Sequence, residues 1–220
     1  MLNAQLVKQL PSTVELLAIQ DSTGLGFKNS ARDDLGDRGG PAESKARGWH
    51  VHTTLLWSLE SSSLVGLGDQ HWLLREEQTR GRKHQRHQRA YEDKESYKWE
   101  SAHRRLQERM SAETMKRIIM VGDSEAAIYL LLEYFAQAQA RYVVRAARDR
   151  VLSATQAERH LGAQMAVAQT VGTRIIKVAQ RQGRRARTAT VTLRSMRVAL
   201  ARPANLGIKT APGELAVNVV

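Results

Sequence analysis

The sequence predicts an α/β protein with one mixed β-sheet. Three β-branched, apolar segments follow one another in the first third of the chain, and helical and extended segments alternate from residue 92 onward. The 220 residues are 42% hydrophobic and 25% charged, which is a globular composition. Cysteine is absent, so disulfide scaffolds, cysteine nucleophiles and thiolate metal sites are excluded.

Apolar runs and a turn predict the first three strands. Residues 16–19 are apolar and lead to Asp21, which indicates a buried strand with a carboxylate at its end. Residues 49–59 and 64–74 are rich in β-branched, aromatic and leucine residues, and a serine-rich turn separates them. These two segments are therefore expected to form an antiparallel hairpin.

Helices and strands alternate in the next part of the chain. The apolar pattern predicts a helix, a strand, a helix and a strand at residues 92–110, 117–121, 125–140 and 142–144. The first of these strands is closed by Gly122 and Asp123. Such alternation is typical of parallel βαβ units.

Three regions are predicted along the chain. Residues 1–14 are interpreted as an N-terminal helical remnant, residues 15–150 as the core, and residues 151–220 as an incomplete antiparallel β insertion. Within the core, residues 28–46 are expected to form a loop, and residues 80–89, with five Lys or Arg and no acid, a solvated connector. The insertion is predicted from β-prone stretches at residues 173–178, 188–193 and 196–200.

The order of elements predicts a site at the centre of the sheet. Three meandering strands followed by parallel crossovers is the order of the ribonuclease-H-like fold, a mixed sheet with helices on both faces. In that order the first and fourth strands are neighbours. Their ends carry Asp21 and Asp123, so two carboxylates 102 positions apart in the sequence are expected in one site.

Paired carboxylates of this kind favour a metal site. Two such charges repel by about 4 kcal/mol at an effective dielectric constant of ~20, and a proton or a cation must offset the repulsion. In a basic protein, Mg²⁺ is the favoured interpretation, and a two-metal site would hydrolyse or transfer phosphodiesters. The alternative for Asp123, which precedes Ser124 and Glu125, is the N-cap of a helix.

The net charge indicates a polyanionic partner. Lys and Arg number 34 and Asp and Glu 22, which gives +12. Nucleic acid is favoured over an anionic membrane surface because no segment has the pattern of an amphipathic membrane anchor. The longest apolar run, residues 126–132, is too short to span a membrane. A cytoplasmic, nucleoid-associated protein is therefore expected.

Basic residues at two places are candidates for contacts with DNA phosphates. Lys45 and Arg47 lie at a loop-to-strand junction. Four arginines, called the tip arginines below, surround a predicted turn in the insertion; they are Arg181, Arg184, Arg185 and Arg187. The alternative for both groups is a solvated basic surface.

Histidine and tryptophan residues are interpreted as structural. His50 and His52 share a strand face but lack a third ligand of matching spacing, which disfavours a zinc site. The tryptophans lie in otherwise apolar segments and are interpreted as core residues rather than base-stacking platforms; they are Trp49, Trp57, Trp72 and Trp99.

Short motifs along the chain resemble those of the bacterial DDE transposases of insertion-sequence family four, in the family's order. They are residues 15–23 (ELLAIQDST), 45–52 (KARGWHVH), 65–72 (VGLGDQHW), 93–99 (DKESYKW), 121–125 (VGDSE), 142–145 (YVVR) and 186–195 (ARTATVTLRS). The resemblance implies a ribonuclease-H-like catalytic domain with a β-rich insertion, which acts on transposon-end DNA as a dimer with Mg²⁺ or Mn²⁺. It implies that Asp21 and Asp123 are the first two acids of the triad and that Arg145 contacts DNA.

The chain also departs from the family pattern. Ser124, Ala127 and Ala147 replace an arginine, an aspartate and a lysine. The third acid, which the family carries within Tyr-x2-Arg-x3-Glu-x6-Lys, is missing. Asp149 has part of that spacing, following Tyr142 and Arg145, but the alignment disfavours it. The chain is therefore interpreted as truncated at both ends.

Three functions are consistent with these features. The first is a cut-and-paste DNA transposase, whose activity in this chain is expected to be weak or absent because one acid is missing. The second is a DNA-binding remnant that does not cut. The third and least favoured is a ribonuclease-H-type nuclease, which would also lack an acid.

Overall fold

The structure is a computed structural model, which describes residues 7, 10–27, 35–37, 47–74, 89–146, 148–204, 206 and 213–220. The chain divides into two compact units, here called the N-terminal unit (Met1–Ala147) and the C-terminal unit (Arg148–Val220). The sequence predicts a boundary after residue 150, close to this division. Lys45 and nearly all of the predicted loop and basic connector lie outside the described residues.

The N-terminal unit is built on a mixed sheet of six strands, one of them only two residues long. They are β1 (Leu16–Phe27), β2 (Gly36–Asp37), β3 (Arg47–Ser58), β4 (Ser63–Leu73), β5 (Ile118–Gly122) and β6 (Arg141–Val144). β4 and the short β2 both pair with β3, and the sheet continues through β1 and β5 to β6. β1, β5 and β6 are parallel, and the pairs of β3 are antiparallel. The predicted α/β class and the central pairing of β1 with β5 are confirmed.

The two faces of the sheet differ in their cover. Along β1 the side chains alternate between buried and partly exposed, as expected for a strand covered on one side. The inner face carries Leu16 and Ala18, which are fully buried. The outer face carries Leu17 and Ile19, which remain partly exposed.

Three helices of the N-terminal unit are described: α1 (Lys98–Arg109), α2 (Ala112–Lys116) and α3 (Tyr129–Gln137). Apolar residues of α1 and α3 join the residues of the inner face in one core; they are Trp99, Leu106, Leu131 and Phe135. Helices on both faces were expected. Among the described residues, both long helices instead pack on the inner face.

Two polar clusters fix α1 in place. The fully buried carboxylate of Asp69, on β4, accepts hydrogen bonds from Arg105 at 2.6 Å and Arg109 at 2.6 Å. Burial alone would raise the pKa of Asp69, but these two hydrogen bonds outweigh it and the pKa is lowered. The buried ring of His103 contacts the Tyr134 hydroxyl at 2.9 Å, and burial lowers the pKa of His103 to about 4.

Several predicted boundaries were wrong. β1 does not end at Asp21 but continues to Phe27, because residues 22–27 pair with the first half of β3. Gly48 permits this pairing, since a Cβ atom there would lie 1.9 Å from the Leu25 carbonyl oxygen. The helix expected at residues 92–110 begins only at Lys98, after one 3₁₀ turn.

The helix predicted at residues 125–140 is also interrupted. It consists of a 3₁₀ turn, Ser124–Ala126, followed by the shorter α3. Ala127, with φ −73° and ψ 62°, is not helical and separates the two. The apolar pattern of these residues does not distinguish one long helix from this arrangement.

In its described residues, the C-terminal unit contains one short helix and two antiparallel strand pairs. Its elements are α4 (Leu161–Ala166), β7 (Thr170–Val178), β8 (Arg187–Arg194), β9 (Met196–Ala201) and β10 (Glu214–Val219). β7 pairs with β8 and β9 with β10. The three predicted β-prone stretches correspond to β7, β8 and β9, whereas α4 was not predicted. Within the described ranges of the whole chain, no helix combines the length and apolarity that a membrane crossing requires.

Candidate functional site

The register of two parallel strands brings Asp21 and Asp123 together. Ile19 of β1 lies opposite Val121 of β5. Asp21 lies two residues further along β1, and Asp123 directly follows β5, two residues beyond Val121. Extending the register therefore sets the two aspartates opposite each other, at about the 4.8 Å spacing of neighbouring strands. Side chains alternate along a strand, and both aspartates therefore belong to the outer face, where both are exposed.

The two aspartates are part of a longer row of polar residues across the outer face. Thr53 of β3 pairs with Asp21, and Gln70 of β4 pairs with Thr53. The Gln70 side-chain amide donates a hydrogen bond to the Thr53 hydroxyl at 3.5 Å. Arg145 follows β6 at the position next to Asp123, and its backbone N–H donates to the Gly122 carbonyl oxygen at 3.2 Å. This polar row is thus Arg145, Asp123, Asp21, Thr53 and Gln70.

Each carboxylate is oriented by one backbone N–H. Oδ1 of Asp21 accepts from the N–H of Ser22 at 2.7 Å. Oδ1 of Asp123 accepts from the N–H of Glu125 at 2.8 Å, and Asp123 is the N-cap of the 3₁₀ turn. Asp123 is therefore an N-cap residue, which was the alternative interpretation from the sequence, and it uses only Oδ1 for this role. In the described part of the chain, no hydrogen bond reaches Oδ2 of either aspartate.

His52 contacts β1 from the inner face of the sheet, opposite to the face that carries Asp21. Its fully buried ring contacts the Gln20 side-chain oxygen at 2.9 Å and the Ser22 hydroxyl at 2.9 Å, the residues on either side of Asp21. The ring also lies edge-to-face on Trp99, with 4.7 Å between centroids. Burial lowers the pKa of His52 to about 4, so the ring is neutral at neutral pH. A neutral ring protonated on Nε2 satisfies both contacts.

A third acid does not join the pair in the described ranges. No group of three or more His, Cys, Asp or Glu residues there could hold a metal ion. Glu125 lies two residues after Asp123, but its carboxylate faces Lys98, with 3.4 Å between Oε2 and Nζ. Asp149 belongs to the C-terminal unit, where its Oδ1 accepts from the Gly162 N–H at 2.7 Å.

The tip arginines surround the turn of the β7–β8 hairpin. Arg181 and Arg184 exchange backbone hydrogen bonds of 3.1 and 2.9 Å around Gln182 and Gly183. Gly183 has φ +78°, a conformation that glycine adopts without strain. The strand register continues to the turn, so Arg181 and Arg184 share one face of the ribbon and Arg185 lies on the other. All four tip arginines are exposed.

The hairpin is more basic than its tip alone. From residue 170 to residue 194 it carries seven cations and no acid. Arg174 and Lys177, which were not among the predicted DNA contacts, are exposed on the strands. Arg194 instead donates to the backbone carbonyl oxygens of Met165 and Ala166, the residues at the end of α4.

The interpretation of all four tryptophans as core residues was wrong for Trp72, and Trp49 and Trp57, both partly exposed on the outer face, are not part of the core cluster either. Trp99 is 2% exposed and belongs to the core, but Trp72 is 49% exposed. Trp72 lies on the outer face because it pairs with Val51. Its ring lies edge-to-face on Trp49, with 6.0 Å between centroids. Arg47, at the start of β3, belongs to the same face as Trp49.

No protein-family model matches the chain.

Proposed function

We propose that the chain is a DNA transposase by descent, and that its N-terminal unit carries a metal-dependent site for phosphodiester hydrolysis and strand transfer. One observation supports this above the others: the parallel register of β1 and β5, extended by two residues, sets Asp21 opposite Asp123. The strand order, with β1 between β3 and β5, is that of a ribonuclease-H-like sheet, and we include that fold in the proposal.

The donor set fits one divalent cation. Mg²⁺ and similar ions bind through one or two carboxylates and complete their coordination with water and substrate phosphates. Asp21 and Asp123 are exposed, and each uses only Oδ1 for its backbone hydrogen bond among the described contacts. When bound, the cation would polarise a phosphoryl oxygen and generate a stronger nucleophile.

The residues around the pair would position it and attract the substrate. The hydrogen bonds from Ser22 and Glu125 hold the two carboxylates, and His52 contacts the side chains of Gln20 and Ser22 from the inner face. Arg145, beside Asp123 in the polar row, can neutralise a phosphate of the bound strand. The tip arginines supply a second cationic surface, and we assign both to DNA phosphates.

A DNA-binding chain that does not cut is the second candidate. It is favoured by the lack of a third acid beside the pair within the described ranges. Two carboxylates can hold one ion, but a second ion would lack an anionic ligand, and two-metal chemistry depends on both ions. Cleavage by this chain is therefore expected to be weak or absent, whereas binding of DNA and of one cation is expected to persist.

Cleavage of supercoiled DNA and of transposon-end duplexes with Mn²⁺ tests the proposal. The parent is compared with Asp21→Asn, Asp123→Asn and the control Glu60→Gln, a carboxylate in the exposed β3–β4 turn. Cleavage that both aspartate variants lose and the control retains would identify an active site. Binding without cleavage in all four proteins would support the second candidate. Cleavage that survives both substitutions would contradict the site assignment.

A further inference from the structure

The two tryptophans on the outer face lie close to the polar row. β1, β3 and β4 continue beyond the last residue of β5, and Trp49 and Trp72 belong to this extension. Trp72 is two strands across and two residues along from Asp21, which places their Cα atoms about 12 Å apart by strand geometry. A short stretch of nucleic acid strand can therefore contact both places at once.

The tryptophan pair is a fixed aromatic surface. Trp49 lies diagonally across from Trp72 on the neighbouring strand, the position from which large aromatic rings reach each other. Val51, which pairs with Trp72, is only 5% exposed. One side of the Trp72 ring system is held by Trp49, while about half of the side chain stays accessible. The ring is thus oriented before any ligand arrives, which lowers the entropic cost of binding.

The charges nearby identify the partner of this surface. The chain has a net charge of +12, and Arg145 belongs to the same outer face. An apolar partner would gain nothing from this positive charge, whereas a nucleic acid strand supplies phosphates for it and flat bases for the indole ring. Bases inside a duplex are already stacked on each other, so only an unpaired base can stack on tryptophan.

We infer that Trp72, oriented by Trp49, is a stacking platform for an unpaired base of the DNA strand whose phosphate lies at the polar row. This inference rests on the proposed function. It assigns to the outer face a second contact, specific for single-stranded DNA, that is separate from the cation-binding aspartates.

The inference is tested by measuring the binding of a short oligodeoxythymidylate in EDTA. Fluorescence anisotropy and tryptophan fluorescence both monitor this binding. Trp72→Ala is expected to weaken binding about five- to a hundred-fold, the range found when a stacking aromatic is truncated. The slope of log K against log salt should stay unchanged, because no phosphate contact is lost. Trp72→Phe keeps an aromatic face and should retain most of the affinity while losing part of the quenching that DNA causes.

Leu64→Ala is the matched control, because Leu64 is 55% exposed on the same strand but at its opposite end. Its affinity and quenching should equal those of the parent. Unchanged affinity and quenching in both Trp72 variants would overturn the inference, as would a parent that does not bind single-stranded DNA. Stabilisation by Mn²⁺ through Asp21 and Asp123 is measured without DNA, so a failure of the proposed function is recognised separately.

Discussion

Replacing Asp21 by asparagine should have opposite effects on stability without and with a divalent cation. Two carboxylates about 5 Å apart repel by about 1 kcal/mol when both are solvated and by more at a lower effective dielectric constant. Asp21 and Asp123 are both exposed, so the lower value applies. In EDTA, Asp21→Asn is therefore expected to be about 1 kcal/mol more stable than the parent.

With Mn²⁺ the order should reverse. A cation at a hundred times its Kd stabilises the folded state by about 2.7 kcal/mol, which corresponds to a rise in Tm of about 5–10 °C for a protein of this size. Asparagine removes one of the two charged ligands, so most of this rise should be lost. Thermal unfolding followed by circular dichroism, in EDTA and in a Mn²⁺ series, measures both effects.

The comparison needs a matched acidic control. Glu60→Gln removes a carboxylate from the exposed turn between β3 and β4 and should respond to Mn²⁺ as the parent does. The reasoning is refuted if Mn²⁺ raises the Tm of Asp21→Asn as much as that of the parent. It is also refuted if asparagine lowers the Tm in EDTA, since the two carboxylates would then not repel each other.

Three further outcomes are expected. Asp69→Asn should lower the free energy of unfolding by about 3–5 kcal/mol, because Arg105 and Arg109 lose their buried counter-charge, and urea unfolding measures this. Burial lowers the pKa of His52 and of His103 to about 4, below the value near 6.5 of an unfolded chain. The unfolded chain then binds more protons, so stability is full above pH 6.5 and falls by about 3 kcal/mol per histidine as the pH drops towards 4. Urea unfolding near pH 7 and near pH 4.5 checks this, and His103→Gln should reduce the difference. Replacing the four tip arginines by glutamine should make the slope of log K against log salt for duplex DNA shallower by about 3.6, as measured by titrations at several salt concentrations; an unchanged slope would show that they do not contact phosphate.

The sequence was sufficient to predict the central pairing because the decisive signals are local. Two apolar runs, each closed by an aspartate, predict strands that end in carboxylates, and the order of elements places these strands side by side. The offset of 102 residues between Asp21 and Asp123 equals the offset of the β1–β5 register. Because the two offsets are equal, Asp21 and Asp123 are expected to lie close together.

The extension of β1 over residues 22–27 could not be predicted because the amino-acid sequence of β1 itself does not indicate a strand there. Residues 22–27 contain two glycines and alternate poorly, so they resemble a loop by composition. They form a strand because the first half of β3 pairs with them, and Gly48 allows the backbones to approach. Pairing partners twenty to thirty residues away decide the structure here.

The exposure of Trp72 was missed for a related reason. Its type and its apolar surroundings predict burial, but burial depends on which elements cover the face of the sheet on which it lies. The two long helices described in the N-terminal unit both pack on the inner face, and Trp72 belongs to the outer face. Alternation along β4 predicts that Trp72 and Asp69 lie on opposite faces of the sheet. It does not predict which of the two faces the helices cover.

The shared register position of the acidic pair has a consequence for the order of folding events. A slip of β5 by one residue against β1 would turn one carboxylate toward the helices and leave the other alone. Parallel pairing across a hundred residues is also among the slowest contacts to form, because the chain between them must first be closed into a loop. The proposed cation site requires this pairing, so time-resolved Mn²⁺ binding during refolding is expected to appear only once β1 and β5 have paired.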